Sequence, residues 1–348
     1  MLQEEIQPPV VSHGPGYGYL YSWYLHCTSA ALRAVVASMS GTGALFDKIV
    51  SIPTPGLGDG QVTVSICLSR DGHGSRASAP LVLVAEGGGF VLGQPNDGEH
   101  ILRPLADQVG AVIVSVDYAK SPRWPFPHAL LQLYEVIKWA LSPASRATLG
   151  APIHPGRIAV MGNSAGGNLV ACLALLLGFT SGPCARFRRG LPSDFLIATQ
   201  IVLYPSMALQ IPYQERLNSS GADDEQVRAR SLPSWVATMM EASYTPPHVD
   251  KNQIFVAPAL ADVELVESLQ MPNTLIVTAG KDCLKFEARR YAETLRRAGV
   301  SVTEHEYPEA IHGFSHHQPE SKDYRKEDVE DCWERIRRHL KNQLQSVQ

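Results

Sequence analysis

The sequence predicts an α/β domain: a mostly parallel central sheet flanked by helices, with a helical cap. Three observations carry that prediction. Short runs of β-branched and apolar residues alternate with helical patterns along the chain. Most of these runs are apolar almost without interruption, as strands covered on both faces are. Two segments, about 1–45 and 206–250, break the alternation and have the length of cap or lid pieces.

The expected strands, in order, are VTVSICL (62–68), LVLVA (81–85), AVIVSVDY (111–118), RIAVM (157–161), ATQIVLY (198–204), TLIVTA (274–279) and VSVTEHEY (300–307). Between them lie helical patterns near 98–109, 128–141, 165–178, 285–299 and 326–344. Strands separated by helices pair in parallel, with the helices covering both faces of the sheet. The last helix begins KEDVEDCWERIRRHL and places Val329, Cys332, Trp333, Ile336 and Leu340 on one face. Ahead of the first strand, GYGYLYSWYLHCTSAALRAVVASM reads as a helix. Neither irregular piece has a core of its own, so the expectation is one domain over 1–348.

Composition narrows the function classes. Apolar residues make up 45% of 348 positions, enough for a sizeable core. A net charge of −4 leaves no basic footprint for nucleic acid or an acidic membrane. The six cysteines are scattered with no CxxC pair, which predicts free thiols in a reducing compartment. MLQEEIQPPVV lacks the layout of a signal peptide, and LVACLALLLGF (169–179) is about half a membrane span. A cytoplasmic protein without nucleic-acid or membrane partners is expected. The sequon at Asn218-Ser219-Ser220 is then a chance match.

GNSAG (162–166) sits between the strand RIAVM and an apolar helix. That is the context of a nucleophile elbow, a sharp turn presenting Ser164 above the sheet with the helix N-terminus aimed at the site. A serine hydroxyl needs a base, and the base an orienting acid. On such a sheet the chain order is serine, acid, histidine. TLIVTAGKDCL offers Asp282 just past a strand end, and VSVTEHEYPEAIHGF offers His312 beyond the next. Among rivals, His305 lies within a strand pattern, and His316 and His317 resemble an exposed helix start. Glu287 and Asp262 are the alternative acids. No P-loop, dinucleotide fingerprint, HExxH or spaced Cys/His set occurs, so neither cofactor nor metal is expected.

The residues resemble the hormone-sensitive-lipase-type branch of the α/β-hydrolase family. EGGGF (86–90) is similar to that branch's HGGGF loop and GNSAGG (162–167) to its GDSAGG elbow. VDYAKSPRWPFPHAL (116–130) is similar to VDYRLAPExPFPAAL, AIHGF (310–314) matches the histidine loop, and TAGKDCL (278–284) sits where the family has its acid. The resemblance spans roughly 50–315. It implies an α/β-hydrolase fold with Ser164 as nucleophile, Asp282 as acid and His312 as base. It further implies backbone N–H groups of Gly87, Gly88 and Ala165 as the oxyanion hole. Members include carboxylesterases and fungal esterases that deacetylate secondary metabolites. Departures are Glu86 for histidine, Asn163 for aspartate, Ala119-Lys120 for Arg-Leu and Cys283 for proline. A carboxylate aimed at an oxyanion hole would oppose the developing charge. Glu86 is therefore expected to turn away and brace the glycines by accepting hydrogen bonds from backbone or a cation.

The expected reaction is hydrolysis of a carboxylic ester of a medium-sized, largely apolar small molecule, including deacetylation of a natural product. Tyr17, Tyr21 and Tyr24 share a helix face that either packs on the body or forms an aromatic wall for substrate. Trp235 and Met239, with Ser234 and Met240, would add lining from the second cap piece. The alternatives are acyl transfer, carbon–carbon bond formation or elimination at the same site, or a non-catalytic small-ligand-binding protein. VSVTEHEY is a candidate edge for a homodimer.

Overall fold

A computed structural model describes residues 2–38, 40–70, 78–219 and 225–345. The elements run α1 (Tyr19–Ala37), β1 (Lys48–Pro53), β2 (Gln61–Cys67), β3 (Ala79–Ala85), α2 (Glu99–Val109), β4 (Val112–Asp117), α3 (His128–Leu141), α4 (Arg146–Leu149), β5 (Ile153–Asn163) and α5 (Ala165–Gly178). They continue α6 (Ala185–Arg189), β6 (Ile197–Leu203), α7 (Tyr213–Ser219), α8 (Glu225–Arg230), α9 (Ser234–Tyr244), α10 (Val263–Ser268), β7 (Asn273–Ala279), α11 (Lys285–Arg297), β8 (Val302–Tyr307) and α12 (Lys326–Gln345). Ser220, the last residue of the sequon, lies outside the described residues.

Eight strands form one sheet in the order β1-β2-β4-β3-β5-β6-β7-β8. β2 pairs antiparallel with both β1 and β4, and the remaining pairings are parallel. The seven strands expected from the sequence are present. β1, KIVSIP, escaped sequence reading because it alternates exposed and half-buried residues at the sheet edge instead of forming an apolar run. β8 closes the opposite edge.

Strand alternation divides the core. Leu81, Leu83 and Ala85 of β3 face one layer with α3 and α5, while Val82 and Val84 face the other with α2 and α12. α5 is buried along its whole length, which accounts for a segment apolar on every side. α12 buries Cys332, Ile336, Leu340 and Leu344, with Val329 and Trp333 partly buried beside them. Among the described cysteines, Cys27 is exposed and the other five are buried. No described helix is long and apolar enough to cross a membrane.

The parallel register brings one set of strand ends level. Ala85 of β3 pairs with Gly162 of β5, Asn163 with Leu203 of β6, Leu203 with Val277 of β7, and Ala279 of β7 with Tyr307 of β8. The residues that follow are Glu86, Ser164, Tyr204, Asp282 and, beyond the β8 turn, His312. Five segments remote in sequence therefore deliver polar side chains to one edge of the sheet. Above that edge lie α7, α8 and α9, and α1 reaches them through Leu25 and Ser29, which pack with Met239 of α9. The rest of α1 faces outward, with Tyr19, Leu20 and Trp23 exposed.

Candidate active site

Ser164 occupies the turn between β5 and α5 with φ 52° and ψ −119°, a conformation a non-glycine residue adopts only where its surroundings enforce it. The flanking glycines explain the enforcement. A methyl group on Gly162 would overlap the Gly166 carbonyl, and one on Gly166 would overlap the Ala85 carbonyl. The helix start thus packs directly on β3, and the serine side chain is left at the apex.

His312 Nε2 lies 2.9 Å from Ser164 Oγ, and its Nδ1 lies 2.6 Å from Asp282 Oδ2. Asp282 is 1% exposed, and its other oxygen accepts the Leu284 N–H at 3.1 Å. The carboxylate is therefore fixed at both ends. In this line the imidazole can accept the serine proton while the carboxylate holds its tautomer and offsets the charge it gains.

The rival groups have other partners. Asp262 caps α10, accepting the Leu265 N–H at 2.9 Å. His305 stands on edge strand β8 near Asp331, and His317 contacts the Asp323 carbonyl. Glu287 is buried beside Arg216 of α7, with 3.0 Å between Nη1 and Oε2, and accepts N–H groups of Met207 and Ala208. Arg216 also pairs with Glu241 of α9, so one guanidinium ties α7 and α9 to α11. Burial pushes the Glu287 carboxyl above its ordinary value, against the pull of Arg216. A carboxyl raised in the folded state contributes stability below its unfolded pKa and loses it as pH rises through the folded value. Arg216→Met removes the opposing cation, so its cost is expected to be about 3–5 kcal/mol at pH 8 and smaller at pH 5. Urea unfolding at the two pH values measures it, and an equal loss at both would contradict the ion-pair account.

The glycine loop corrects one expectation. The Gly87 N–H is already engaged, donating to Asn163 Oδ1 at 2.9 Å. It is thus withdrawn from the oxyanion role the resemblance implied. The N–H groups of Gly88, Gly89 and Ala165 donate no hydrogen bond among the described residues. Gly89 lines the pocket beside Ser164 and Ala165, and both Gly88 and Gly89 have positive φ. The Asn163 side chain needs only its carbonyl oxygen to hold Gly87, so the change from aspartate keeps the acceptor. Cys283, where the family has proline, uses the N–H a proline would lack, donating to Ser231 Oγ at 3.2 Å.

Glu86 does not face the pocket. Its carboxylate is 3% exposed and directed at His316, with Oε2 3.3 Å from Nε2, and Oε1 lies against Gly98 at the start of α2. His316 is accordingly no exposed helix start: its side chain is 17% exposed and packs edge-on to Trp333. The single turn Phe314–His316 tucks it inward.

The pocket beside Ser164 is narrow, with about 50 Å³ of free space, and is lined chiefly by Phe90, Leu209, Tyr213, Leu232, Met240 and Leu284. The expected aromatic wall is elsewhere. Tyr17, just before α1, meets the Tyr21 ring edge-on, Tyr21 stacks on Tyr24, and Trp235 is 57% exposed. Met239 is buried among Leu25 and Val91. None of the five lines this pocket. On α9 it is the next residue, Met240, that turns toward Ser164 and rests on Gly89, where a methyl group would overlap its sulfur. Of the two methionines named from the sequence, Met240 lines the pocket and Met239 does not, a distinction set by the helix's rotation.

The model of a family described by the α/β-hydrolase fold matches residues 82–316. Esterase LipI of Mycobacterium tuberculosis is 30% identical over 240 residues, 69% of this chain and 67% of its own. Arylacetamide deacetylase of Bos taurus is 24% identical over 265 residues, 65% of this chain and 66% of its own. Among solved structures, the thermostable carboxylesterase EstE1 from a metagenomic library superposes with a TM-score of 0.71 at 26% identity, covering 91% of this chain and 97% of that one.

Proposed function

Because the chain belongs to the α/β-hydrolase family, we propose that it is a serine carboxylesterase that cleaves small-molecule esters carrying a short acyl group. The observation that carries this reading is the line Asp282–His312–Ser164, at 2.6 and 2.9 Å, beside three N–H groups that have no partner among the described residues. The esterase and carboxylesterase activities named for the relatives support the same reaction class.

Ser164 Oγ attacks the ester carbonyl as its proton passes to His312 Nε2. The carbonyl oxygen gains the charge and accepts hydrogen bonds from the N–H groups of Gly88, Gly89 and Ala165. Each such donor is worth about 100- to 1,000-fold in rate. His312 then gives its proton to the departing alcohol, leaving an acyl group on Ser164. Water attacks that acyl group with His312 again as base, and the acid leaves as Ser164 regains its proton. Asp282 holds the ring orientation and offsets the charge of the imidazolium.

Substrate size follows from the pocket. The apolar side chains of Leu209, Leu232, Met240 and Leu284 close in beside Ser164, which favours an acyl group of roughly two to four carbons. The alcohol half lies outside the pocket, which leaves deacetylation of a larger natural-product alcohol within this reading. α1 and α7 to α9 serve as the cap over the acyl site.

A series of p-nitrophenyl esters from acetate to dodecanoate tests the proposal. Maximal kcat/KM is expected at two to four carbons, falling at least about tenfold by eight as the chain outgrows the pocket. Met240→Ala should move the optimum to longer chains. An optimum at eight carbons or more in the unaltered protein would contradict the acyl-site assignment.

A further inference from the structure

Two loops must hold their positions for this chemistry, the glycine loop after β3 and the histidine loop after β8. Glu86 immediately precedes the first, and His316 lies four residues beyond His312 in the second. Their side chains meet, with Oε2 3.3 Å from Nε2, and both are largely shielded from water. The backbone of Glu86 is held as well, its carbonyl accepting the Tyr118 hydroxyl at 2.8 Å.

His316 is anchored on its other side. Its Nδ1 is 3.1 Å from the Tyr204 hydroxyl and 3.0 Å from Ser315 Oγ, and those two oxygens are 2.7 Å apart. Tyr204 directly follows β6, and its ring packs edge-on to His312 with centroids 5.1 Å apart. Trp333 of α12 donates its indole N–H to the Ser315 carbonyl at 2.7 Å, fixing the turn from outside. A continuous set of contacts thus runs from the glycine loop through Glu86, His316 and Tyr204 to the ring of His312.

We propose that Glu86 and His316 form a positioning pair that locks the glycine loop to the histidine loop, setting the oxyanion donors and His312 in mutual register. The proposal rests on the assignment of Ser164 as nucleophile. The Glu86 carboxylate fixes the His316 tautomer by accepting from Nε2–H, which leaves Nδ1 to accept a hydroxyl proton from Tyr204 or Ser315. The same contact keeps the carboxylate turned onto His316 and the start of α2, where a helix N-terminus favours negative charge. The chain therefore carries a carboxylate beside its glycine loop without aiming it at the forming oxyanion.

The test is steady-state hydrolysis of p-nitrophenyl acetate by the full chain and by Glu86→Ala, His316→Ala, the double variant and Glu86→Gln. Glutamine keeps an acceptor for Nε2–H. Each alanine variant is expected to lose about 10- to 100-fold in kcat with KM within twofold, because displaced donors affect the transition state more than ground-state binding. Glu86→Gln should retain activity within about threefold, and the double variant should be no worse than the poorer single one, as residues acting as one unit are not additive. Thermal unfolding confirms that the compared variants are folded, and Glu86→Leu with His316→Leu serve if an alanine variant is not. A glutamine substitution that costs as much as alanine, effects that multiply, a KM rise at constant kcat, or no effect at all would each overturn the pair. An unaltered protein inert to both the ester and a fluorophosphonate would instead overturn the Ser164 assignment beneath it.

Discussion

Ser164→Ala is expected to lower kcat/KM for p-nitrophenyl acetate by about 10,000-fold or more while leaving the fold intact. The loss is large because no neighbouring group can replace the hydroxyl. His312 Nε2 lies 2.9 Å from Ser164 Oγ and would be left facing an empty position. Alanine also suits the site structurally. The strained turn is enforced by the packing of Gly162 and Gly166 on their neighbours, and a smaller side chain at the apex relieves no contact that holds it. Substrate binding should survive, since Phe90, Leu209 and Met240 shape the pocket independently of the hydroxyl. Residual hydrolysis would come from the oxyanion donors and bound water. Rates on the variant and its thermal unfolding check both halves of the expectation.

Asp282→Asn should cost nearly as much, about 1,000- to 10,000-fold in kcat, with little change in KM. The direction follows from the second oxygen of the carboxylate. Oδ1 accepts the Leu284 N–H at 3.1 Å, a demand that an asparagine satisfies only with its carbonyl oxygen. Its NH2 group must then face His312 Nδ1, which now held only as an acceptor places the ring proton on Nε2. In that tautomer Nε2 cannot take the serine proton. The neutral amide also withdraws the charge that steadies the imidazolium. A variant with kcat within tenfold of the parent would show that Asp282 does not orient the base.

Most of the sheet was legible because its central strands are apolar on both faces, and Ser164, Asp282 and His312, which the structure brings into one line, could be singled out because each sits in a short loop just past a strand. The register of parallel pairing brings such loops together, so chain order carries most of the three-dimensional information. What depends on rotation and on side-chain direction was not legible. Gly87 and Gly89 are indistinguishable as letters; the bond from the Gly87 N–H to Asn163, and the place of Gly89 in the pocket lining, separate them. Met239 and Met240 differ by one position on α9, about 100° around a helix, yet one packs against Leu25 and the other against Gly89. The aromatic face of α1 has the spacing of a binding wall but stands apart from the serine pocket. His316 looked exposed because the residues around it are polar. Its burial comes from contacts with Glu86, Tyr204 and Trp333, all remote in sequence.

The departures from the family pattern share a physical theme. Asn163 and Cys283 each make a hydrogen bond that a loop requires, one through a side-chain oxygen and one through a backbone N–H. Lys120 donates to Asp117 and to the Tyr118 carbonyl, and lies over the Tyr118 ring at 3.8 Å. It steadies the tyrosine whose hydroxyl holds the Glu86 carbonyl. The altered residues thus support the glycine and acid loops without supplying the reacting groups.

Reaction with a fluorophosphonate, followed by intact-mass and peptide mass spectrometry, tests the central claim most directly. A serine activated by His312 beside the N–H groups of Gly88, Gly89 and Ala165 should form one covalent adduct, located on Ser164. It should be absent from Ser164→Ala and strongly slowed in Asp282→Asn. An unlabelled parent protein, or an adduct on another residue that persists in Ser164→Ala, would contradict the account.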